Sequence, residues 1–172
     1  MPEGSGTTAR RRGRLIVLSG LPGVGKSAVA EALCSEVGAL WLRADAIEQA
    51  MRDSHMAYTD LADAGYAAMR VVAEEALARG FDVVADFVNP LPVTRTSWEA
   101  LSGLNVELVC SDAAEHRRRV EGRRSDVAGL ALPSWEAVMA RDYEPWDGAL
   151  RLDTARPLGE VVARILEELG DG

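Results

Sequence analysis

The sequence predicts one α/β domain in which helices cover both faces of a five-stranded parallel sheet. Five short apolar stretches have the length and composition of buried strands, and segments with apolar residues at helical spacing separate them. This alternation is typical of a parallel sheet, because each return to the sheet needs a connection long enough to hold a helix. The length of 172 residues is that of a single ordinary domain.

The first half of the chain predicts three strands and three helices. An apolar run that ends in a glycine-rich loop marks the first strand, and the alanine-rich third helix stops at Gly80. The apolar run after that glycine is the third strand, and it ends at Asp86. Strands are expected at 14–19, 40–42 and 81–86, and helices at 26–37, 45–52 and 61–79.

The second half predicts two further strands and four helices. Asp112, followed three residues later by Glu115, is typical of a capped helix start, and the last helix is apolar along one face. Strands are expected at 105–110 and 150–153, and helices at 94–102, 112–124, 134–141 and 157–169. The domain is expected to cover 13–172, and residues 1–12 are expected to form a disordered tail.

The composition limits the classes of function open to this chain. The net charge is −8 and the isoelectric point about 4.8, which weighs against a nucleic-acid partner because polynucleotide binders are usually basic. No apolar run is long enough for a membrane helix, and no targeting segment is expected. The two cysteines lack metal-site spacing and predict a reducing, cytoplasmic compartment. The sequence gives no indication of oligomeric state.

One segment matches the phosphate-binding pattern G-x-x-x-x-G-K-[ST] in full. The segment, here called the phosphate loop, is Gly20, Leu21, Pro22, Gly23, Val24, Gly25, Lys26 and Ser27. It follows a predicted strand and opens a predicted helix, so its amides and the helix dipole are expected to bind the phosphates of a nucleotide. Lys26, the only lysine in the chain, is expected to contact the β- and γ-phosphates, and the Ser27 hydroxyl to bind Mg²⁺.

Elimination narrows the class of nucleotide-binding protein. GTPases share the loop but read guanine with an Asn-Lys-x-Asp element, which a chain with a single lysine does not contain. The sequence has no transporter signature loop, and it is too short for an AAA+ machine with a second helical domain. A small kinase that uses ATP and Mg²⁺ is the interpretation that fits best.

Polar residues after the second and third strands are candidates for catalysis and acceptor binding. A hydroxyl acceptor needs a carboxylate near the γ-phosphate to orient it and accept its proton, and Asp45 is placed for that role, or is an ordinary helix cap. Asp86 ends an apolar strand in the manner of an aspartate that binds Mg²⁺ or the acceptor. Asn89 and Arg95 are further candidates for acceptor binding.

Arginines after the fourth strand predict a movable lid. Arg119 and Arg123 are four residues apart, so they share one helix face and are expected to neutralise charge during phosphoryl transfer. The glycine within this arginine-rich helix and the loop after it favour movement. In kinases of this layout the loop after the last strand often flanks adenine, which makes Thr154 and Arg156 candidates for nucleotide binding.

With these residues in place, the chain resembles the small P-loop kinases grouped as an "AAA-type ATPase" family, which includes zeta-toxin-like, chloramphenicol-phosphotransferase-like and polynucleotide-kinase-like proteins. The resemblance covers most of 14–169 and rests on segments 20–27, 43–47, 83–86 and 152–154, on Arg95 and on the Arg119/Arg123 pair. It implies a five-stranded sheet of the nucleoside-monophosphate-kinase type, Asp45 as general base and Arg119 with Arg123 as the lid. The run Asp86-Phe87-Val88-Asn89 departs from the acidic-Thr-Asn run common in polynucleotide kinases of this type.

The leading hypothesis is transfer of the γ-phosphoryl group of ATP to a hydroxyl of a small metabolite or antibiotic. Two alternatives stay open at this point. One is a 5′-hydroxyl kinase of DNA or RNA, which the acidic charge disfavours. The other is an ATPase or nucleotide switch that has no acceptor.

Overall fold

The computed structural model describes residues 11–56 and 58–170, and within them the chain forms five strands and seven helices. The strands are β1 (Leu15–Ser19), β2 (Leu40–Arg43), β3 (Val83–Asp86), β4 (Leu104–Val109) and β5 (Leu150–Asp153). The helices are α1 (Lys26–Val37), α2 (Ala44–Arg52), α3 (Ala64–Ala78), α4 (Pro92–Glu99), α5 (Ala113–Gly122), α6 (Trp135–Met139) and α7 (Leu158–Gly170).

The five strands form one sheet in the order β2-β3-β1-β4-β5, and every pairing is parallel. The predicted fold class is therefore confirmed. The register aligns Leu18 of β1 with Asp86 of β3, and Asp86 in turn with Arg43 of β2. Three strands thus end at one level, and the segments that leave them start side by side at the carboxyl edge, where ligands of such sheets bind.

Two apolar layers hold helices against the two faces of the sheet. Successive residues of a strand point to opposite faces, so Leu15 and Val17 of β1 join one layer while Ile16 and Leu18 join the other. The first layer packs around the fully buried Trp98 of α4 and includes apolar residues of α3. The second layer contains the apolar faces of α1 and α7. The central strands are therefore buried on both sides, as their unbroken apolar character predicted.

Several boundaries differ from the sequence-based prediction, each for a local reason. Helix α4 starts at Pro92 rather than at 94, because proline is well suited to the first turn of a helix, where its missing N–H is not needed. Helix α5 ends at Gly122 rather than at 124, and Arg123 is already extended, with φ −75° and ψ 146°. Helix α3 begins at Ala64, after a turn in which Ala62 has a positive φ of 45°.

Of the predicted disordered tail at 1–12, residues 1–10 lie outside the described residues, so the tail remains a prediction. At the start of the domain, Arg14 donates its backbone N–H and its guanidinium to the carboxylate of Asp82, at 2.7–3.0 Å. No helix in the described part of the chain combines the length and the apolar character needed to cross a bilayer.

Candidate active site

The phosphate loop connects β1 to α1 and depends on its glycines. Gly20, Gly23 and Gly25 have φ values of 143°, 82° and 102°, which residues with a Cβ rarely adopt. A Cβ on Gly20 would lie 2.3 Å from the carbonyl oxygen of Leu108, and one on Gly23 would lie 2.4 Å from a methyl group of Val120. The loop is thus packed tightly from outside while its backbone curves around the start of α1. This conformation suits a phosphate chain.

The side chain of Lys26 lies inside this loop. Its ammonium donates to the carbonyl oxygens of Gly20 at 2.9 Å and Leu21 at 3.1 Å, and the residue is only 9% exposed. Burial lowers the pKa of Lys26, although the carboxylates of Asp86 and Asp45 act in the opposite direction. A desolvated positive charge surrounded by loop backbone will be stabilised by an anion.

Ser27 and Asp86 form a pair suited to Mg²⁺. The Ser27 hydroxyl donates to Asp86 Oδ2 at 3.0 Å, and Asp86 is 6% exposed at the end of β3. Burial raises the pKa of Asp86, and the nearby charge of Lys26 and the bond from Ser27 oppose that rise. Mg²⁺ commonly takes one or two protein oxygens and completes its shell with phosphate and water oxygens. The described residues contain no cluster of three or more His, Cys, Asp or Glu side chains, and this mode of binding does not require one.

Asp45 lies in the first turn of α2 and borders the same space. It lines a cavity of about 420 Å³, here called the main cavity, together with Lys26, Ser27 and Asp86. The carboxyl group is exposed and lies at the positive end of the helix dipole of α2. An acidic side chain is thus placed beside the end of the phosphate loop.

The two predicted lid arginines occupy different surroundings. Arg119 donates to Glu115 at 2.7 Å and to the hydroxyl and carbonyl oxygens of Thr154 at 3.1 and 2.9 Å. With Gly25, Thr154 and Arg156 it lines a small cavity of about 230 Å³. Arg123 lines the main cavity instead, and the two arginines share only a third cavity of about 510 Å³. Arg119 is therefore fixed beside the start of α1, whereas Arg123 faces the space above Lys26 and Asp45.

A buried histidine joins α5 to the phosphate loop. His116 Nε2 donates to the carbonyl oxygen of Pro22 at 2.9 Å, and its ring meets the edge of Trp135 in α6 with centroids 5.1 Å apart. Since Val120 also packs on Gly23, α5 and the loop form one packed unit. Sequence reasoning did not single out His116.

Asn89 and Arg95, both predicted to bind the acceptor, do not line the main cavity. Arg95 is 2% exposed, and its guanidinium donates to the carbonyl oxygens of Asn89, Pro90 and Pro145 at 3.0 Å and to that of Glu144. Asn89 is fully buried in a turn, where its Oδ1 accepts from Thr94. In this structure both residues hold the connection after β3, and their binding of the acceptor stays a prediction.

Four charged residues that sequence reasoning did not name as site residues line the main cavity. They are Arg43, Glu48, Arg52 and Arg141. Arg43 makes a two-point ion pair with Asp126, at 2.6 and 2.8 Å, and stacks over Trp41. Arg43 could have been identified from the sequence, because it lies two residues before Asp45, within one of the segments on which the family resemblance rests. For Arg141, in the connection after α6, the sequence held no comparable signal.

Comparisons with known proteins agree with this fold. A family model described as an AAA domain matches residues 15–141. The Mycobacterium tuberculosis APS kinase CysC in complex with AMPPNP and APS is 18% identical, with a TM-score of 0.70 over 94% of this chain and 99% of that one. A gluconokinase from Sinorhizobium meliloti 1021 is 26% identical, with a TM-score of 0.62 and 94% of each chain covered.

A third similar structure is Kti12 of Chaetomium thermophilum in complex with ADP-AlF3, which is 19% identical with a TM-score of 0.62. The match covers 90% of this chain and 98% of that one. The search of curated proteins gave no match.

Proposed function

Because the chain belongs to the P-loop kinase family whose model is described as an AAA domain, we propose that it transfers the γ-phosphoryl group of ATP to a hydroxyl of a small-molecule acceptor. The observation that carries this proposal is the meeting of Lys26, the Ser27–Asp86 pair and Asp45 around one cavity. A phosphate-binding cation, a metal-binding pair and a free carboxylate are the groups that phosphoryl transfer to a hydroxyl needs.

On the nucleotide side, the loop amides and Lys26 bind the phosphate chain of ATP. The Lys26 ammonium exchanges its contacts with the Gly20 and Leu21 carbonyl oxygens for the β- and γ-phosphate oxygens. Arg119, Thr154 and Arg156 surround the small cavity beside the start of α1, which supports their role in holding the base and sugar of the nucleotide. Ser27 and Asp86 are the residues that would hold Mg²⁺, which neutralises charge on the β- and γ-phosphates when bound.

On the acceptor side, Asp45 orients the hydroxyl and accepts its proton. The hydroxyl oxygen forms a bond to the γ-phosphorus while the bond from that phosphorus to the β–γ bridging oxygen breaks, and the electron pair stays on ADP. Lys26 stabilises the charge that develops on the transferred group and on the bridging oxygen. Arg123, which lines the main cavity, is placed to add positive charge near the same atoms.

The size of the main cavity supports a small acceptor. A volume of about 420 Å³ is in the range of small-molecule sites. The similar structures named as an APS kinase and a gluconokinase are consistent with that class of acceptor. The acidic net charge disfavours the alternative acceptor, a polynucleotide 5′-hydroxyl.

The test is a transfer screen with γ-labelled ATP and Mg²⁺ against sugars, sugar acids, nucleosides, hydroxylated antibiotics and 5′-hydroxyl oligonucleotides. The Lys26→Ala variant serves as the blank, and Arg164→Gln, on the exposed face of α7, as the matched control. The proposal expects label on one class of small molecule with the wild type and the control, and none with the blank. Label on oligonucleotides alone, or release of free phosphate whatever acceptor is present, would overturn it.

A further inference from the structure

We propose that the acceptor carries an oxyanion group, a carboxylate or a phosphate or sulfate ester, which Arg141 binds in the main cavity with help from Arg52. This inference rests on the proposed function, since it concerns the acceptor of that same site. Its support comes from the charge of the cavity, from the pairing of each arginine, and from the way the chain holds Arg141 in place.

The main cavity is positive in a protein that is negative as a whole. Four arginines and Lys26 line it against three carboxylates, whereas the whole chain carries a net charge of −8. The arginines are Arg43, Arg52, Arg123 and Arg141. An excess of positive charge in one concave site of an acidic protein concentrates anions there.

The nucleotide and the internal ion pairs account for only part of this charge. Lys26 is committed to the phosphates, and the guanidinium of Arg43 is occupied by both carboxylate oxygens of Asp126. Arg123 also borders the third cavity, beside Gly23 and Gly25 of the phosphate loop, so it can serve the nucleotide. Arg141 is different, because it lines the main cavity and neither of the two cavities that border Arg119.

Within residues 11–56 and 58–170, the Arg141 side chain makes no hydrogen bond and no ion pair. Its charge nevertheless acts on the cavity: burial raises the pKa of Glu48, and the charges of Arg52 and Arg141 oppose that rise. Arg52 makes one ion pair, to Glu48 at 3.3 Å, through a single guanidinium nitrogen. Its other donors are available to a ligand in the same cavity.

The backbone on both sides of Arg141 is held firmly. Ahead of it, Val138 of α6 is buried and its carbonyl oxygen accepts from the Arg141 N–H at 3.3 Å. After it, the buried Glu107 accepts from the Tyr143 hydroxyl at 3.0 Å and from the Trp146 N–H at 3.1 Å.

Arg95 secures the same segment through the carbonyl oxygens of Glu144 and Pro145. The two buried charges, Glu107 and Arg95, thus fix the chain within a few residues of Arg141. The Arg141 side chain is exposed in the cavity and has no partner among the described residues, while its backbone is held at the cavity wall, so its guanidinium is available to a ligand. The planar guanidinium matches the two oxygens of a carboxylate, a phosphate or a sulfate.

The test compares matched acceptors that differ only in the charged group, with AMPPNP and Mg²⁺ present so that the phosphate loop is filled. Gluconate against sorbitol examines a carboxylate, and ribose 5-phosphate against ribose examines a phosphate ester. Dissociation constants are measured by calorimetry for the wild type, Arg141→Gln, Arg52→Gln and the remote control Arg164→Gln. AMPPNP affinity of every variant is measured in parallel, and it should stay unchanged.

At least one anionic member is expected to bind about tenfold or more tightly than its neutral counterpart, a ratio set by one charge-assisted hydrogen bond. Arg141→Gln should remove that preference, Arg52→Gln should reduce it, and Arg164→Gln should keep it. Equal binding of both members of each pair, or a preference that survives Arg141→Gln, overturns the inference. Anion binding that depends on Arg141 without any phosphoryl transfer would support the oxyanion site and contradict the proposed kinase, so the two failures are distinguishable.

Discussion

The two sides of the main cavity are built in different ways. The phosphate side, which comprises the phosphate loop and Asp86, is a contiguous backbone structure with buried charges: Lys26 is 9% exposed and Asp86 6%. The acceptor side, which comprises Asp45, Arg52 and Arg141, consists of exposed side chains from α2 and from the connection after α6. The difference teaches that the phosphate side is set by local backbone geometry, whereas the proposed acceptor side depends on side chains that tertiary packing brings together.

The largest effect should follow from a change on the phosphate side. Lys26→Met removes the cation inside the loop and is expected to lower the transfer rate by about 10³-fold, because that charge stabilises the transferred group. The rate is measured by quenched turnover of γ-labelled ATP, with circular dichroism to show that the variant is folded. A variant that kept its rate within about tenfold of the wild type would mean that the loop works without its lysine.

On the acceptor side, Asp45→Asn preserves shape and removes the base. The turnover number is expected to fall by about 10²-fold while ATP affinity stays unchanged, because the role proposed for Asp45 is toward the acceptor and not toward the nucleotide. Calorimetry with AMPPNP and steady-state kinetics measure the two quantities separately. Full transfer activity with normal ATP binding would mean that Asp45 is not the general base and that another group accepts the proton.

Arg95 is a buried structural arginine, in contrast to Arg52 and Arg141, the arginines proposed to bind the acceptor. Arg95→Met removes a buried guanidinium and leaves four carbonyl acceptors without their donor, which should reduce the free energy of unfolding by about 3 kcal/mol. Arg164→Met, at an exposed position, should change it by about 0.5 kcal/mol or less. Urea unfolding measures both. If Arg95→Met were as stable as the wild type but had a raised KM for the acceptor, Arg95 would bind the acceptor, as the sequence predicted.

The smallest effect concerns the ion pair that joins the end of β2 to the loop after α5. The hydrogen bonds from Arg43 lower the pKa of Asp126, so the pair stabilises the fold above the unfolded pKa of about 3.9 and the effect is lost as pH falls through the lower folded value. Asp126→Asn should therefore cost about 1 kcal/mol or less at pH 7, since Asp126 is largely exposed. The difference from wild type should disappear in acid. A difference that stayed constant from pH 7 to pH 2 would contradict this assignment.

The same contrast explains how much the sequence predicted. The fold class and the parallel direction of the strands were predicted from the periodicity of apolar residues along the chain. The phosphate loop was predicted from eight contiguous residues that match a known pattern. Asp86 was placed correctly at a strand end for the same reason.

Contacts between distant segments were not predictable in this way. The burial of Arg95 away from the main cavity could not be foreseen, because its partners include Glu144 and Pro145, about fifty residues later in the chain. Arg141 was missed because only the packing of α6 and the bonds to Glu107 bring it to the main cavity. Arg119 and Arg123 share a helix face by spacing, yet the end of α5 at Gly122 turns Arg123 toward a different cavity.

The central claim is that both sides of the main cavity act on one γ-phosphoryl group. The most direct measurement is a single-turnover experiment with γ-labelled ATP and Mg²⁺, at rising concentrations of the acceptor that the screen selects. The account predicts that label leaves ATP faster as acceptor concentration rises and appears on the acceptor hydroxyl, and that both processes are about 10²-fold slower in Asp45→Asn. Release of inorganic phosphate at one rate, whatever acceptor is present, would contradict it and make this protein a nucleotide hydrolase.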